Sequence, residues 1–360
     1  MRERIGILTG GGDCPGLNAV IRAVVKSASK RGWETLGFLG GYEGLLEPVS
    51  YRVLDYKEMD ALLFVGGTIL GTSNKGHFAA KIGHGESAQI PDEIIAQAKA
   101  SFAKLGLRAL VCVGGDGSLT IAQRLFEHGL PIVGVPKTID NDLEATLLTF
   151  GFDSAVACAT DALDRLRTTA QSHERVMVLE VMGRYAGWIA LHAGISGGGD
   201  VILIPEIPFR YESVCQKILE REREGKHYTL VVVAEGAREQ GKDFVTAAPS
   251  EKNREARLGG VGAVVGAELQ ARTGKEVRVC VLGHLQRGGA PTSFDRLLCT
   301  RFGAHAVQLV ADEKYGYMTA LQPPDTVPVR ILDAIGRIRT VPPDGNMVRT
   351  ARALGITFGE

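Results

Sequence analysis

An α/β protein of two lobes, each built on a mostly parallel sheet, is the fold class this sequence predicts. Short Val/Ile/Leu runs alternate with helical patterns along the chain, and many of the junctions are glycine-rich, as βαβ units require. At 360 residues the chain exceeds the size at which one core usually stops growing. With 45% hydrophobic residues it has material for two.

The elements follow in order. "RIGIL", residues 4–8, reads as a strand that leads through "TGGGDCPG" into a helix whose apolar positions Leu17, Val20, Ile21, Val24 and Val25 follow the i, i+3, i+4, i+7, i+8 pattern. "KGHFAAKIGHGESAQI", rich in Gly and His, reads as a loop. "ALVCV" enters "GGDGS" and the helical "LTIAQRLFEHG", before the strand "PIVGVP" ends a first lobe near residue 150. The pattern resumes with "RVMVLEV", the helix "AGWIALHAGI", the strand "DVILIP", the charged helix "SVCQKILEREREG" and the strand "YTLVVVAEG". The aperiodic, polar stretch 237–260 reads as a surface excursion.

Forty-one basic residues balance forty-one acidic ones, so nothing global attracts nucleic acid or an anionic membrane. Any basic site must be local. The six cysteines form no C-x-x-C pair and sit mostly in apolar runs, the usage of a reducing compartment. No apolar run approaches the roughly 18 residues that span a bilayer. A soluble cytoplasmic protein is the expectation.

Strand, glycine turn and helix occur together at "GILTGGGDCPG" and again at "VCVGGDGSL". Such turns either cradle an anion on backbone N–H groups and a helix N-terminus, or are tight bends that need positive φ. Neither a dinucleotide fingerprint nor a G-x-x-x-x-G-K-[ST] loop is present. Asp116, between Gly115 and Gly117, ends a strand where open α/β sheets place ligands. A carboxylate beside a phosphate implies Mg²⁺ between them; the alternative is a helix N-cap for the segment from Ser118.

"PKTIDND", residues 136–142, assembles a cation, a hydroxyl and two acids. In an extended segment Thr138, Asp140 and Asp142 would share one face. One acid taking a proton from an attacking hydroxyl and the other fixing geometry or metal suits phosphoryl transfer. Downstream, Arg175, Arg184, Arg278, His284 and Arg287 lie near strand ends in "SHERVMVLEVMGRYAG" and "VRVCVLGHLQRGG", cations suited to an anionic substrate.

In this order, "LTGGGDCPGLNAVIR", "GGTILGTS", "GGDGS", "PKTIDND", "GFDSA", "EVMGRYAGWIA" and "VLGHLQRGGAP" resemble the 6-phosphofructokinase family over most of the chain. NAD and lipid kinases share the G-G-D-G turn but lack the last two motifs. The resemblance implies two Rossmann-like α/β/α lobes with the active site in the cleft between them. It implies transfer of a phosphoryl group to the 1-hydroxyl of fructose 6-phosphate with Mg²⁺, from ATP or pyrophosphate. By it Asp140 is the general base, Thr138 and Asp142 support acceptor and metal, Arg184 is a further catalytic residue, and Asp116 holds Mg²⁺. The donor would meet Gly12, Gly115, Gly117, Ser118, Asn74, Lys75 and Lys137. The sugar phosphate would meet Met182, Gly183, Arg184, Glu235, His284 and Arg287, with Arg175 and Arg278 reaching in from a neighbouring subunit of a homodimer or tetramer. Residues 1–150 with 286–336 would form the donor lobe, and 151–285 with 337–360 the sugar-phosphate lobe.

Some positions depart from the family pattern. Asn74 stands where ATP enzymes often carry an arginine, so either Lys75 substitutes or turnover is lower. In the family's effector cluster Arg22 and Arg167 match and Lys26 is a conservative change, but Tyr56 replaces an arginine, which argues against the usual allosteric regulation. Pyrophosphate enzymes pair an Asp after "GGD" with a Lys before "TIDND". This chain has Gly117 and Lys137, one feature of each type, and the open space at Gly117 predicts ATP as principal donor. Intact Asp116 and Asp140 argue against a non-catalytic sugar-phosphate-binding paralogue.

Overall fold

A computed structural model of the chain describes residues 2–73, 76–78, 90–248 and 257–360. It divides into two compact units, Met1–Ser154 with Arg287–Ile338 and Ala155–Gln286 with Arg339–Glu360. The expected breaks stood at 150, 285 and 336. Most of the Gly/His-rich stretch 75–90, read as a loop, lies outside the described residues, as do Asn74 and Lys75.

The first unit holds a seven-stranded sheet. Its strands are β1 (Arg4–Thr9), β2 (Glu34–Phe38), β3 (Tyr51–Val53), β4 (Leu107–Gly114), β5 (Ile132–Pro136), β12 (Tyr317–Gln322) and β13 (Asp325–Arg330). They run in the order β13-β12-β5-β4-β1-β2-β3. All pairings are parallel except those of the two outermost strands, β3 and β13. β1, β4 and β5 are near-continuous apolar runs, as expected of parallel strands covered on both faces. The helices are α1 (Leu17–Lys30), α2 (Asp92–Leu105), α3 (Asp116–Glu127), α8 (Ser293–Ala311) and α9 (Ile331–Ala334). All five apolar positions expected to line α1 are buried. α8 packs against α1, and Gly303 permits it: a Cβ there would sit 2.6 Å from the Ala23 methyl and 2.8 Å from the Val20 carbonyl oxygen.

The second unit holds a four-stranded parallel sheet in the order β11-β6-β8-β7. Its strands are β6 (Val176–Val181), β7 (Val201–Leu203), β8 (Thr229–Ala234) and β11 (Val277–Val281). Helix α4 (Phe152–His173) carries the chain into this unit, which also contains α5 (Trp188–Ser196), α6 (Tyr211–Arg223), α7 (Val261–Thr273) and α10 (Asn346–Ala353). Val178, Leu203, Val231, Val233, Val265 and Leu269 belong to its core. The stretch 237–260, read as an aperiodic surface excursion, contains a small antiparallel ladder of β9 (Thr246–Ala248) and β10 (Arg257–Leu258). Backbone pairing needs no apolar periodicity, so the sequence pattern carried no sign of it. Among the described residues no helix is long and apolar enough to cross a membrane.

Candidate active site

In the first unit β1 leads outward to β2 on one side, while β4 and β5 lie on the other. The strand order therefore reverses between β1 and β4, and ligands of open α/β sheets bind outside the carboxyl ends of the strands at such a point. The chain leaves β1 into Gly10–Gly12 and leaves β4 into Gly115–Asp116. The two glycine turns are neighbours: the Gly10 N–H donates to the Val113 carbonyl at 2.9 Å.

Ser118, in the first turn of α3, explains two of the glycines. A Cβ on Gly10 would lie 2.7 Å from its Oγ, and one on Gly114 only 2.2 Å from its Cβ. The α3 N-terminus thus sits tightly on both turns, with its partial positive charge at the strand ends. Gly115 is the residue before the helix, and Asp116 and Gly117 are its first two residues. Asp116 is therefore not the N-cap. Its Oδ1 accepts from the Gly336 N–H at 3.0 Å.

The acids come together differently from the extended alternation expected of "TIDND". β5 ends at Pro136, and the chain then turns, with Asn141 in the left-handed region at φ 51°. The Thr138 hydroxyl accepts the Asp140 N–H at 3.1 Å and also bonds the Asp142 carboxyl. A polar turn satisfies its own donors in this way, whereas an extended segment beyond the sheet edge would leave them unpaired. The outcome is still a gathered set. Burial pushes Asp142 up to about 7, and the charges of Asp140 and Asp116 push in the same direction.

That shift has a measurable sign. A carboxyl raised in the folded state contributes stability below its ordinary value of 3.8 and loses it as pH rises to about 7. In metal-free protein, Asp142→Asn should therefore raise Tm at pH 8, by on the order of 3 °C, with the gap closing at pH 4. Calorimetry at the two pH values checks this; a lower Tm at pH 8 would contradict the buried, crowded carboxyl.

Two cations brace the first glycine turn. Buried Lys137 donates from Nζ to the Gly12 carbonyl, and Arg287 donates to the Asp13 carbonyl at 3.1 Å. Burial pulls Lys137 below the usual lysine range, and Arg287 adds to this. Arg287, expected to bind the sugar phosphate, also fell within the segment 286–336 expected in the donor lobe. It belongs to the first unit, and its guanidinium would stand 2.9 Å from a Cβ on Gly12.

In the second unit, Met182–Arg184, Glu235 and His284 follow the carboxyl ends of β6, β8 and β11, three adjacent parallel strands. Gly183 has φ 133°, and the Gly236 N–H donates to its carbonyl at 3.1 Å. A Cβ on Gly236 would lie 1.9 Å from the Arg184 carbonyl oxygen, so this approach demands glycine. Arg175 and Arg278 are both held by Glu276, the former at 2.8 Å. The hydrogen bond from Arg175 keeps Glu276 below the usual carboxyl range.

Sequence reasoning passed over several residues that shape these turns. Gln286 is fully buried and accepts the Met182 N–H at 2.8 Å, tying the turn of His284 to that of Arg184. Asn18 holds the carbonyls of Val65 and Gly66 and the N–H of Ile69. Asp295, pushed by burial up to about 6, accepts from the N–H groups of Gly151 and Ser154 and from the Ser154 hydroxyl. Their only sequence signal is a polar residue at an otherwise apolar helix or turn position.

The family model described as Phosphofructokinase matches residues 4–310. An ATP-dependent 6-phosphofructokinase of Chloroflexus aurantiacus is 55% identical, over 100% of this chain and 98% of its own. A pyrophosphate–fructose 6-phosphate 1-phosphotransferase of Amycolatopsis methanolica is 50% identical, over 95% and 97%. Among solved structures, the phosphofructokinase of Pichia pastoris superposes with a TM-score of 0.81 at 31% identity over 93% of this chain, which spans 35% of that longer one.

Proposed function

The chain belongs to the phosphofructokinase family, and on that premise we propose that it transfers the γ-phosphoryl group of ATP to the 1-hydroxyl of fructose 6-phosphate, a step of glycolysis. What carries the reading is the gathering of Asp116, Asp140 and Asp142 beside the α3 N-terminus and the glycine turns, at the reversal of strand order. Asp140 takes the hydroxyl proton as O1 bonds to the γ-phosphorus. The bond from that phosphorus to the β,γ-bridging oxygen breaks, and ADP leaves. Thr138 and Asp142 hold the base in its turn. The N–H groups of the glycine turns and of α3, including those of Gly12, Gly115, Gly117 and Ser118, face the donor phosphates. Lys137 and Arg287 keep the first turn in shape through the Gly12 and Asp13 carbonyls. Met182, Gly183, Arg184, Glu235, His284 and Arg287 take the sugar phosphate.

The acids suit Mg²⁺. They offer hard oxygens, and their mutual repulsion is relieved by a divalent cation. Among the described residues no three His, Cys, Asp or Glu side chains form a metal cage. Asp116 would hold it, and when bound it neutralises charge on the β- and γ-phosphates.

A homo-oligomer is part of this reading, with a dimer as minimum and a tetramer as the expected assembly. β11 is an edge strand with Val279 40% and Val281 54% exposed, and Leu285 just beyond it 68% exposed. An open apolar edge of this kind favours a second copy. Six free thiols suit the reducing cytoplasm.

A coupled assay with fructose 6-phosphate and each donor tests the whole. We expect fructose 1,6-bisphosphate with a higher kcat/KM for ATP than for pyrophosphate. A reversed order would favour the pyrophosphate reading, for which Lys137 and the Amycolatopsis relative speak. No product with either donor would remove both.

A further inference from the structure

The acid turn does not stand alone. Residues 149–151 return beside it, with a parallel backbone bridge between Lys137 and Phe150. Thr149 is buried to 1% exposure and makes three contacts with the turn. Its hydroxyl donates to the Thr138 carbonyl at 2.7 Å, its N–H donates to Asn141 Oδ1 at 3.0 Å, and the hydroxyl also lies 3.4 Å from that same oxygen. Asn141 is the left-handed residue between Asp140 and Asp142, and it too is buried. The turn that carries both acids is thus clamped by one residue, Thr149, whose hydroxyl holds Thr138 and whose backbone N–H holds Asn141.

The far sides of this strut are anchored as well. The Leu147 N–H donates to the Leu321 carbonyl, and the Thr146 hydroxyl accepts the Leu321 N–H, both at the end of β12. Toward the first glycine turn, Cys14 Sγ donates to the Phe150 carbonyl at 3.8 Å. A Cβ on Gly16 would lie 2.9 Å from the Phe150 ring, and one on Gly151 would lie 2.6 Å from Cys14 Sγ. One short segment therefore spaces the acid turn from the glycine turn.

We propose that Thr149 is a positioning residue for the phosphoryl-transfer step, its hydroxyl and N–H holding the 138–142 turn so that Asp140 meets the acceptor hydroxyl next to the donor loop. The inference rests on Asp140 acting as the base. A group of this kind touches no substrate and acts on geometry alone, so its loss should appear in kcat and leave binding intact.

The experiment compares Thr149→Val, which keeps shape and backbone N–H but removes the hydroxyl, with Thr149→Ser, which restores it. Asp140→Asn runs alongside as the control on the base. With ATP and Mg²⁺ at saturation, Thr149→Val should lose about 10- to 100-fold in kcat, with both KM values within about threefold of wild type. Thr149→Ser should return to within about threefold of wild-type kcat. Thermal unfolding separates this from a role in folding, because the hydroxyl deletion must depress turnover of protein that is folded at the assay temperature. Should Thr149→Val not fold, Asn141→Gly keeps the left-handed backbone, removes the Thr149 partner and should show the same kcat-selective loss. Wild-type kcat in Thr149→Val while Asp140→Asn is inactive, or equal losses in the Val and Ser variants, would overturn the inference. An active Asp140→Asn would instead overturn the base on which it rests.

Discussion

Asp140→Asn should lower kcat by about a thousandfold while the KM for fructose 6-phosphate stays within about threefold. The amide matches the carboxylate in shape and still accepts a hydrogen bond, so the acceptor hydroxyl can be bound. It cannot take the proton. The variant also removes one negative charge beside Asp142, which burial and that charge together hold near 7, so the fold should not suffer. Steady-state kinetics with both substrates varied checks the result, and more than a tenth of wild-type turnover would sink Asp140 as base. The same variant reports on assembly. If Arg278 binds the sugar phosphate, Arg278→Ala should raise its KM, because a charge-assisted contact would be lost. If Arg278 serves a neighbouring copy, hybrids reassembled from the two variants recover activity that neither parent has. Hybrids no better than their parents would show that Arg278 serves its own chain.

Gly117→Asp should cost about a hundredfold or more in kcat/KM for ATP, since like charges brought together cost several kcal/mol and each 1.4 kcal/mol is a factor of ten. Gly117 is the second residue of α3, so an acid there faces the positive helix end and should leave the fold intact or slightly firmer. The penalty falls on the ligand. On the proposed reading a carboxylate here would crowd the α-phosphate of a nucleotide, which pyrophosphate does not have, so pyrophosphate use should fall less. Kinetics with both donors, together with Tm, checks the prediction. Equal losses with the two donors would place the effect on the shared phosphates and not on nucleotide selection.

Much of this was legible from local chemistry. β1, the first glycine turn and α1 follow from an apolar run, three consecutive glycines and a 3.6-residue period, each of which acts over a few residues. Asp116, Asp140 and Arg184 stood out because charged residues directly after apolar strands are expensive unless they have work to do at a strand end. The reading of 138–142 as extended failed for the same local reason. Alternation was the simplest pattern available, and nothing near Asn141 announces that a threonine eight residues later will hold it in the left-handed region.

Residue order and type therefore determined the class of fold, the parallel sheets and the residues that carry the chemistry, because propensity, periodicity and turn stereochemistry are properties of neighbours in the chain. Folding in three dimensions decided which of those residues meet. It placed Arg287 on the Asp13 carbonyl across a separation of 274 residues, Gly336 on Asp116 across 220, and Ser154 on Asp295 across 141. Each of these is one hydrogen bond whose partner lies far along the chain, and its geometry exists only once the strands have paired and the helices have packed. A single sequence does not encode such pairings locally, since the entropy of closing so long a loop is met by the whole core and not by the two residues that happen to touch.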